Sequence, residues 1–324
     1  MTNDGLAERG RGRAAGSRYG ARSRVTRAPR APEPASVSAM SPRVVLHPTP
    51  SELLARARET LMRDEAGNSL VIGIAESLPP RDRGPLLVTL EHGGEVVAVA
   101  LRTPPRKLLV SDGPPAAIDA LGEAMRSRAP DLPGVTGPTA AAERFARAYC
   151  GDGSSHGTPH AELVLQMRLH RLDAVTDVPR PAGHVRVATP ADAALLSPWA
   201  QRFVDESGSD ETRPGTELLA PYLANGTLYL WEDGEPRSMA GWSRGTEHGA
   251  AVSMVFTPPE HRGRGHATAL VAELSRTILA RGKRFCVLFT NVANPTAGAI
   301  YARIGYRPLC DHASWRFTRS AVSA

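Results

Sequence analysis

Cysteine is scarce in this chain, and so are lysine, aromatic residues and long apolar runs. Three cysteines, Cys150, Cys286 and Cys310, share no Cys-x-x-Cys spacing and cannot all pair. That argues against a disulfide scaffold and a zinc site, and for a reducing, cytoplasmic setting. Runs such as Leu70 to Ala75 and Phe285 to Phe289 are far too short to span a bilayer. Without an apolar segment near the N-terminus, a secretory signal is also excluded.

A charge imbalance in the folded body is missing too. The net charge is +6, yet residues 1–43 hold nine arginines against three acids, so the remainder balances to zero. The basic character therefore belongs to the N-terminal segment and gives no argument for a nucleic-acid-binding or membrane-binding fold. Residues 1–43, rich in Arg, Gly, Ala, Ser and Pro, lack the large apolar residues of a core and are expected to be disordered. The segment reads as a basic arm, a transit peptide, or a stretch upstream of the true start. Met40, just before the first plausible strand, favours the last of these.

What is present is a pattern that runs twice. The first half, 44–173, opens with a strand at Val44–Leu46 and the helix start Thr49-Pro50-Ser51-Glu52, followed by a second helix at Ser69–Leu78. A hairpin turns at Gly93-Gly94. A strand at Lys107–Ser111, helices near 114–127 and 138–150, and a strand at Ala161–Leu172 complete it. After a Pro-rich linker over 174–183, the second half, 184–324, repeats the order. Thr189-Pro190-Ala191-Asp192 answers the first helix start, and Asp233-Gly234-Glu235 answers the hairpin. Pro258-Pro259 answers Pro114-Pro115, and Pro295-Thr296-Ala297 answers Pro138-Thr139-Ala140. Four matches in one order predict one fold used twice.

The halves differ where chemistry would sit. The apolar strand Ala250–Thr257 leads into Arg262-Gly263-Arg264-Gly265-His266-Ala267 and then a helix with Leu270, Val271, Leu274 and Ile278 at helical spacing. A glycine turn on a helix N-terminus aims backbone N–H groups at an anion and adds a partial positive charge, which suits a pyrophosphate. A P-loop would need Gly-Lys-Ser/Thr here, and a dinucleotide fingerprint a third small residue and a later acid; neither fits. In the first half the glycine turn is absent, and Gly137 and Arg144 stand where the second half has Asn294 and Tyr301.

The motif Arg262-x-x-Gly265-x-Ala267, followed by Asn294-x-x-Ala297-x-x-Ile300-Tyr301 and Gly305-Tyr306, resembles the GNAT superfamily of acyl-CoA-dependent N-acyltransferases. The resemblance covers 184–320 and extends to 44–173 only as a degenerate copy. It implies an α/β (α+β) architecture, a mixed twisted sheet flanked by helices, present twice in tandem. It further implies an enzyme that moves an acetyl or other acyl group from acetyl-CoA to a primary amine by direct attack on the thioester, without a metal. On this resemblance the loop 262–267, including Gly263, Arg264 and His266, binds the pyrophosphate. Val255, Phe256 and Thr257 line the pantetheine arm, and a backbone N–H near Phe256 stabilises the thioester oxygen as charge develops on it.

Asn294 has two readings, an N-cap before Pro295 and a hydrogen bond to CoA. Tyr301 reads as a member of one apolar helix face, and on the resemblance as the general acid that returns a proton to the departing thiolate. Asp205, Glu206, Glu232, Glu247 and His248 are candidate bases by position, and Cys310 reads as an inert thiol. Trp199, Phe203, Tyr222 and Trp242 are candidates for an acceptor pocket that takes a small-molecule or peptide amine. Two alternatives stay open: a CoA-binding sensor without turnover, and an acetyltransferase of an aminothiol sugar, of the mycothiol synthase type. The sequence does not address oligomeric state.

Overall fold

A computed structural model describes residues 41–151, 159–209 and 211–319, all within the compact unit Met40–Ala324. Residues 1–40 of the Arg-rich segment lie outside the described residues, and strand β1 (Arg43–Leu46) opens on that segment's last residue. None of the described helices is long and apolar enough to cross a membrane.

The first half continues with α1 (Pro50–Met62), α2 (Ser69–Ser77), β2 (Leu86–His92), β3 (Glu95–Arg102), β4 (Leu108–Val110), α3 (Pro115–Arg128), β5 (Gly134–Pro138), α4 (Thr139–Cys150) and β6 (His160–Leu172). The second half repeats it: β7 (His184–Val187), α5 (Ala193–Ser207), α6 (Gly215–Ala224), β8 (Leu228–Asp233), β9 (Glu235–Ser243), β10 (Gly249–Phe256), α7 (His266–Ala280), β11 (Phe285–Asn291), α8 (Pro295–Ile304) and β12 (Arg307–Thr318). Both helix starts form as their residues dictate. The Thr49 side chain accepts the Glu52 N–H, while Thr189 and Asp192 close a reciprocal capping box.

All twelve strands join one mixed sheet in the order β1-β2-β3-β4-β5-β12-β6-β11-β10-β9-β8-β7. The order is a palindrome when each strand is matched to its counterpart in the other half. Each half thus gives its last strand away: β12 completes the sheet beside β5, and β6 completes the sheet beside β11. The exchanged strands also pair with each other along almost their whole length, from Arg307–Arg171 to Thr318–His160. A division at residues 173 and 184 therefore leaves one strand of each half in the other half's sheet, and the two cores cannot be pulled apart without breaking three ladders.

One strand carries no sequence signal. β5 contains Gly134, Gly137 and Pro138, residues that ordinarily exclude a strand. The glycines are there because neighbours press close. A Cβ on Gly137 would lie 2.5 Å from the Val110 carbonyl oxygen, and one on Gly134 would lie 2.0 Å from that of Trp315.

Helix α7 buries Ala269, Leu270, Leu274 and Ile278 against the sheet of the second half, together with Trp231, Val252 and Leu288. Burying each such leucine contributes roughly 1.5–3 kcal/mol, so this packing fixes where the helix N-terminus points.

Candidate active site

The site begins where two strands stop pairing. β10 and β11 are parallel partners at Gly249–Phe285, Ala250–Cys286 and Ala251–Val287, and no further. Both strands run on, to Phe256 and Asn291, each still held on its outer side by β9 or β6. The facing edge of β10 over its last five residues, about 16 Å at about 3.3 Å per residue, therefore offers backbone groups without a strand partner. Within that stretch the β9–β10 register shifts between Ser253 and Phe256, and Met254 takes a left-handed φ of 55°. A left-handed non-glycine residue is costly and is held only where surrounding packing imposes it; here the Met254 side chain is buried beside Leu230 and Phe256.

Two cavities open from this cleft. The first, about 630 Å³, lies over the glycine turn and is bordered by Val255–Thr257, Arg262, Gly263, Gly265–Thr268, Asn294 and Tyr301. All the residues assigned to acyl-CoA binding or proton donation on the resemblance border it except Arg264, which is exposed on the turn. Gly263 and Gly265 have φ of 74° and 85°. A Cβ on Gly263 would meet nothing within 4 Å, and one on Gly265 only Pro181 at 4.0 Å. Internal crowding therefore does not explain these glycines; the backbone conformation and the open space in front of it do. The first N–H groups of α7 have no intrahelical acceptor and face the same space. His266, 5% exposed, has an Nδ1 without a partner among the described residues, and burial pushes its pKa down, which favours the neutral ring. Amides, a helix terminus and an unsatisfied imidazole nitrogen fit an anionic group such as a pyrophosphate.

Two side chains act differently from the simplest reading of the motif. The Arg262 guanidinium is not free: Nε donates to the Thr257 carbonyl at 2.8 Å, and the Glu206 carboxylate holds its terminal nitrogen at 2.9 and 2.7 Å. It braces the loop against α5, leaving its backbone to the cavity. Asn294 does cap α8, its Oδ1 accepting the Ala297 N–H at 3.1 Å, but it is exposed at the cavity rim and its amide nitrogen has no partner among the described residues. Capping and ligand contact are compatible, because they use different atoms.

Tyr301 stands at the boundary. It is 8% exposed, packs edge-on to Tyr306 with ring centroids 5.9 Å apart, and borders both cavities, as does Val255. Its hydroxyl has no hydrogen-bond partner among the described residues, and burial pushes the phenol pKa up, so it remains protonated and has a proton to donate.

The second cavity, about 700 Å³, lies on the other side of Tyr301 and is walled by both halves. The second half supplies Phe203, Tyr222 and Ser253; the first half supplies Leu70 and Ile74 from α2, Arg106, and Met167 from the exchanged strand β6. Tyr222 Oη lies 2.6 Å from Ser253 Oγ and 3.2 Å from Ser243 Oγ. Ser253 interrupts an otherwise apolar strand, a signal the sequence offered and that sequence reasoning passed over. Of the four aromatics proposed for an acceptor pocket, Phe203 and Tyr222 border this cavity. Trp199 sits in the core, and Trp242 stacks under Arg281.

Of the five candidate bases, Glu206 alone borders either of these two cavities, and it is committed to Arg262. Glu232 pairs with Arg186, Glu247 with Arg58 and His248 with Glu65, while Asp205 accepts from Gln201. Burial pushes the Cys310 thiol up to about 11 and the Cys286 thiol up to about 12, which leaves both as poor nucleophiles.

In the first half the matching place is closed. Arg144, at the position of Tyr301, donates to the Pro115 carbonyl at 3.0 Å and to Asp119 at 2.5 Å, clamping α4 onto the start of α3. No glycine turn precedes α3, and β5 runs directly into α4.

The fold that holds this site is met in solved structures. A GCN5-related N-acetyltransferase from Sphaerobacter thermophilus superposes with a TM-score of 0.56 at 17% identity, over 88% of this chain and 98% of that one. The fold is that of the GNAT superfamily. A second GCN5-related N-acetyltransferase, from Kribbella flavida, gives a TM-score of 0.53 at 18% identity over 80% of this chain and 96% of that one. A GNAT-family acetyltransferase from Colwellia psychrerythraea gives 0.50 at 13% identity, over 86% and 100%. Residues 230–316, from β8 to β12, match the FR47-like protein family. No curated protein matches the chain. The coverage of whole chains extends the GNAT likeness across both halves, so the GNAT fold is present here in tandem.

Proposed function

We propose that the second half is an N-acyltransferase that takes an acyl group from acetyl-CoA and passes it to a primary amine. The observation that carries this reading is the meeting of two cavities at Val255 and Tyr301, one shaped for an anion and one for a different molecule. Acetyl-CoA, when bound, supplies an activated thioester. The amides of 263–268 hold its pyrophosphate, the open edge of β10 lies along the pantetheine arm, and Asn294 offers its free amide nitrogen at the rim. A backbone N–H of the bulged segment near Phe256 faces the carbonyl oxygen that gains charge.

The amine enters through the second cavity. Its nitrogen bonds to the acyl carbon, the carbon–sulfur bond breaks, the nitrogen loses a proton, and the sulfur gains one. Tyr301 holds the proton available to the sulfur. Among the described residues that border the cavity, no side chain is free to deprotonate the amine: Arg213 and Arg106 hold the Glu211 carboxyl down to about 2, too low for a useful base. The proton therefore leaves to water beside the Tyr222–Ser253 hydroxyls.

A coupled thiol-release assay with acetyl-CoA and a panel of amines, run beside a melting-temperature shift with acetyl-CoA, tests the reading. Turnover of at least one amine together with a shift is expected. A shift without turnover on any amine would instead favour a CoA-binding protein that does not catalyse, and no shift would refute both.

A further inference from the structure

The second cavity holds a cation that nothing among the described residues answers. Three arginines border it: Arg106, Arg213 and Arg244. Arg106 and Arg213 share Glu211, at 3.2 and 2.7 Å. Arg244 is half-buried and makes neither an ion pair nor a hydrogen bond among the described residues. A partly desolvated guanidinium without a partner is unfavourable unless a ligand supplies one.

Its backbone says the same. Arg244 has a left-handed φ of 46°, although the next residue, Gly245, could take that conformation without strain and does not. Strain of this kind persists where the side chain's position matters. The first half presses on it from behind: a Cβ on Gly73, in the middle of α2, would lie 2.7 Å from Arg244 Cβ and 3.3 Å from its Cα. A glycine inside a helix is tolerated here because it lets α2 back directly onto that residue.

Building on the acyl-transfer reading above, we propose that Arg244 anchors a carboxylate of the amine acceptor, and that the acceptor is an ω-amino acid. A planar guanidinium offers two parallel N–H groups that match a carboxylate, and one positive charge answers one negative charge. A guanidinium also pairs with phosphate, but the single positive charge of Arg244 leaves a phosphate dianion half unanswered and neutralises a carboxylate fully. The spacing sets the length. Arg244 follows Ser243, which pairs with Ala251 where the cleft opens, and transfer occurs beside Val255. Four residues of strand separate those points, about 13 Å at about 3.3 Å per residue. An extended arginine paired with a carboxylate covers about 10 Å of this gap, so an α-amino acid reaches the thioester only with that side chain fully extended along the cleft. A chain of several methylenes reaches it from a bent rotamer, and Leu70, Ile74 and Phe203 give that chain an apolar wall that an α-amino acid leaves unused.

The test compares 6-aminohexanoate, hexylamine and glycine as acceptors at saturating acetyl-CoA, and measures binding of unreactive hexanoate by calorimetry. In the wild-type chain kcat/KM for 6-aminohexanoate should exceed those for hexylamine and glycine by about tenfold or more. Arg244→Met should collapse the preference for 6-aminohexanoate over hexylamine and abolish hexanoate binding, and Arg244→Lys should restore part of both. Melting temperatures of the variants control for folding. If no amine is turned over but hexanoate binds and the binding is lost in Arg244→Met, the carboxylate subsite stands and the transferase reading falls. Equal use of hexylamine and 6-aminohexanoate, or hexanoate binding that is absent or indifferent to Arg244→Met, would overturn the proposal.

Discussion

Ala251 and Val287 are the last pair at which β10 and β11 face each other as ladder partners. Beyond them the strands diverge, and the gap is kept open from both sides: β9 and the Met254 bulge hold one lip, and the exchanged strand β6 holds the other through Asn291–Met167. A strand from the first half is thus structural support for the second half's cleft. This gives a physical reason for a first half whose own site is closed by Arg144 and Asp119. It supplies β6, α2 and one wall of the second cavity.

Tyr301→Phe should lower kcat by about tenfold or more while leaving acetyl-CoA affinity within about twofold, since the hydroxyl is asked only to donate a proton. Steady-state kinetics beside calorimetry separates the two effects. An equal loss in turnover and affinity would assign Tyr301 to packing against Tyr306.

Glu206→Gln tests whether Arg262 is a brace. Both side chains are about half exposed, 50% and 47%, so the fold should lose less than about 1 kcal/mol. Acetyl-CoA affinity should nevertheless weaken about threefold or more, because the loop amides are no longer tied to α5. Unchanged affinity would show that the pair does not position the loop.

Stability should fall in mild acid through His312. This ring is 2% exposed, stacked edge-on to Phe289 at 4.9 Å, with neither nitrogen bonded among the described residues, and burial pushes its pKa down to about 4. The unfolded chain, titrating near 6.5, takes up the proton first. The stabilisation is therefore complete above pH about 6.5 and lost as pH falls towards 4, by about 3 kcal/mol in all. Denaturant midpoints across that range should drop in the wild-type chain and flatten in His312→Phe. Equal slopes would mean that the imidazole protonates without unfolding cost.

The candidate site of the second half was legible because the residues that border it are local in sequence. A glycine turn, a helix start and an Asn-to-Tyr spacing are all written within 51 residues, from Phe256 to Tyr306. Helix caps such as Thr49 were legible for the same reason. The strand exchange was not, since nothing in β6 or β12 records whose sheet edge it joins. β5 was missed because its glycines answer the close approach of Val110 and Trp315 rather than strand propensity. Arg262 looked like an anion ligand until Glu206, 56 residues earlier in sequence, proved to hold it. The second cavity escaped for a similar reason: its walls come from segments as distant as Leu70 and Tyr222, brought together only by the tertiary fold.

Titration calorimetry with acetyl-CoA tests the central claim most directly, using the full chain and a Gly265→Val variant. A valine at φ 85° would force the turn out of its left-handed conformation and place its branches in the open space before the helix N-terminus. One acetyl-CoA bound per chain, and none in Gly265→Val at unchanged melting temperature of the free protein within a few degrees, is the predicted result. Two sites per chain, none, or full affinity in the variant would contradict it.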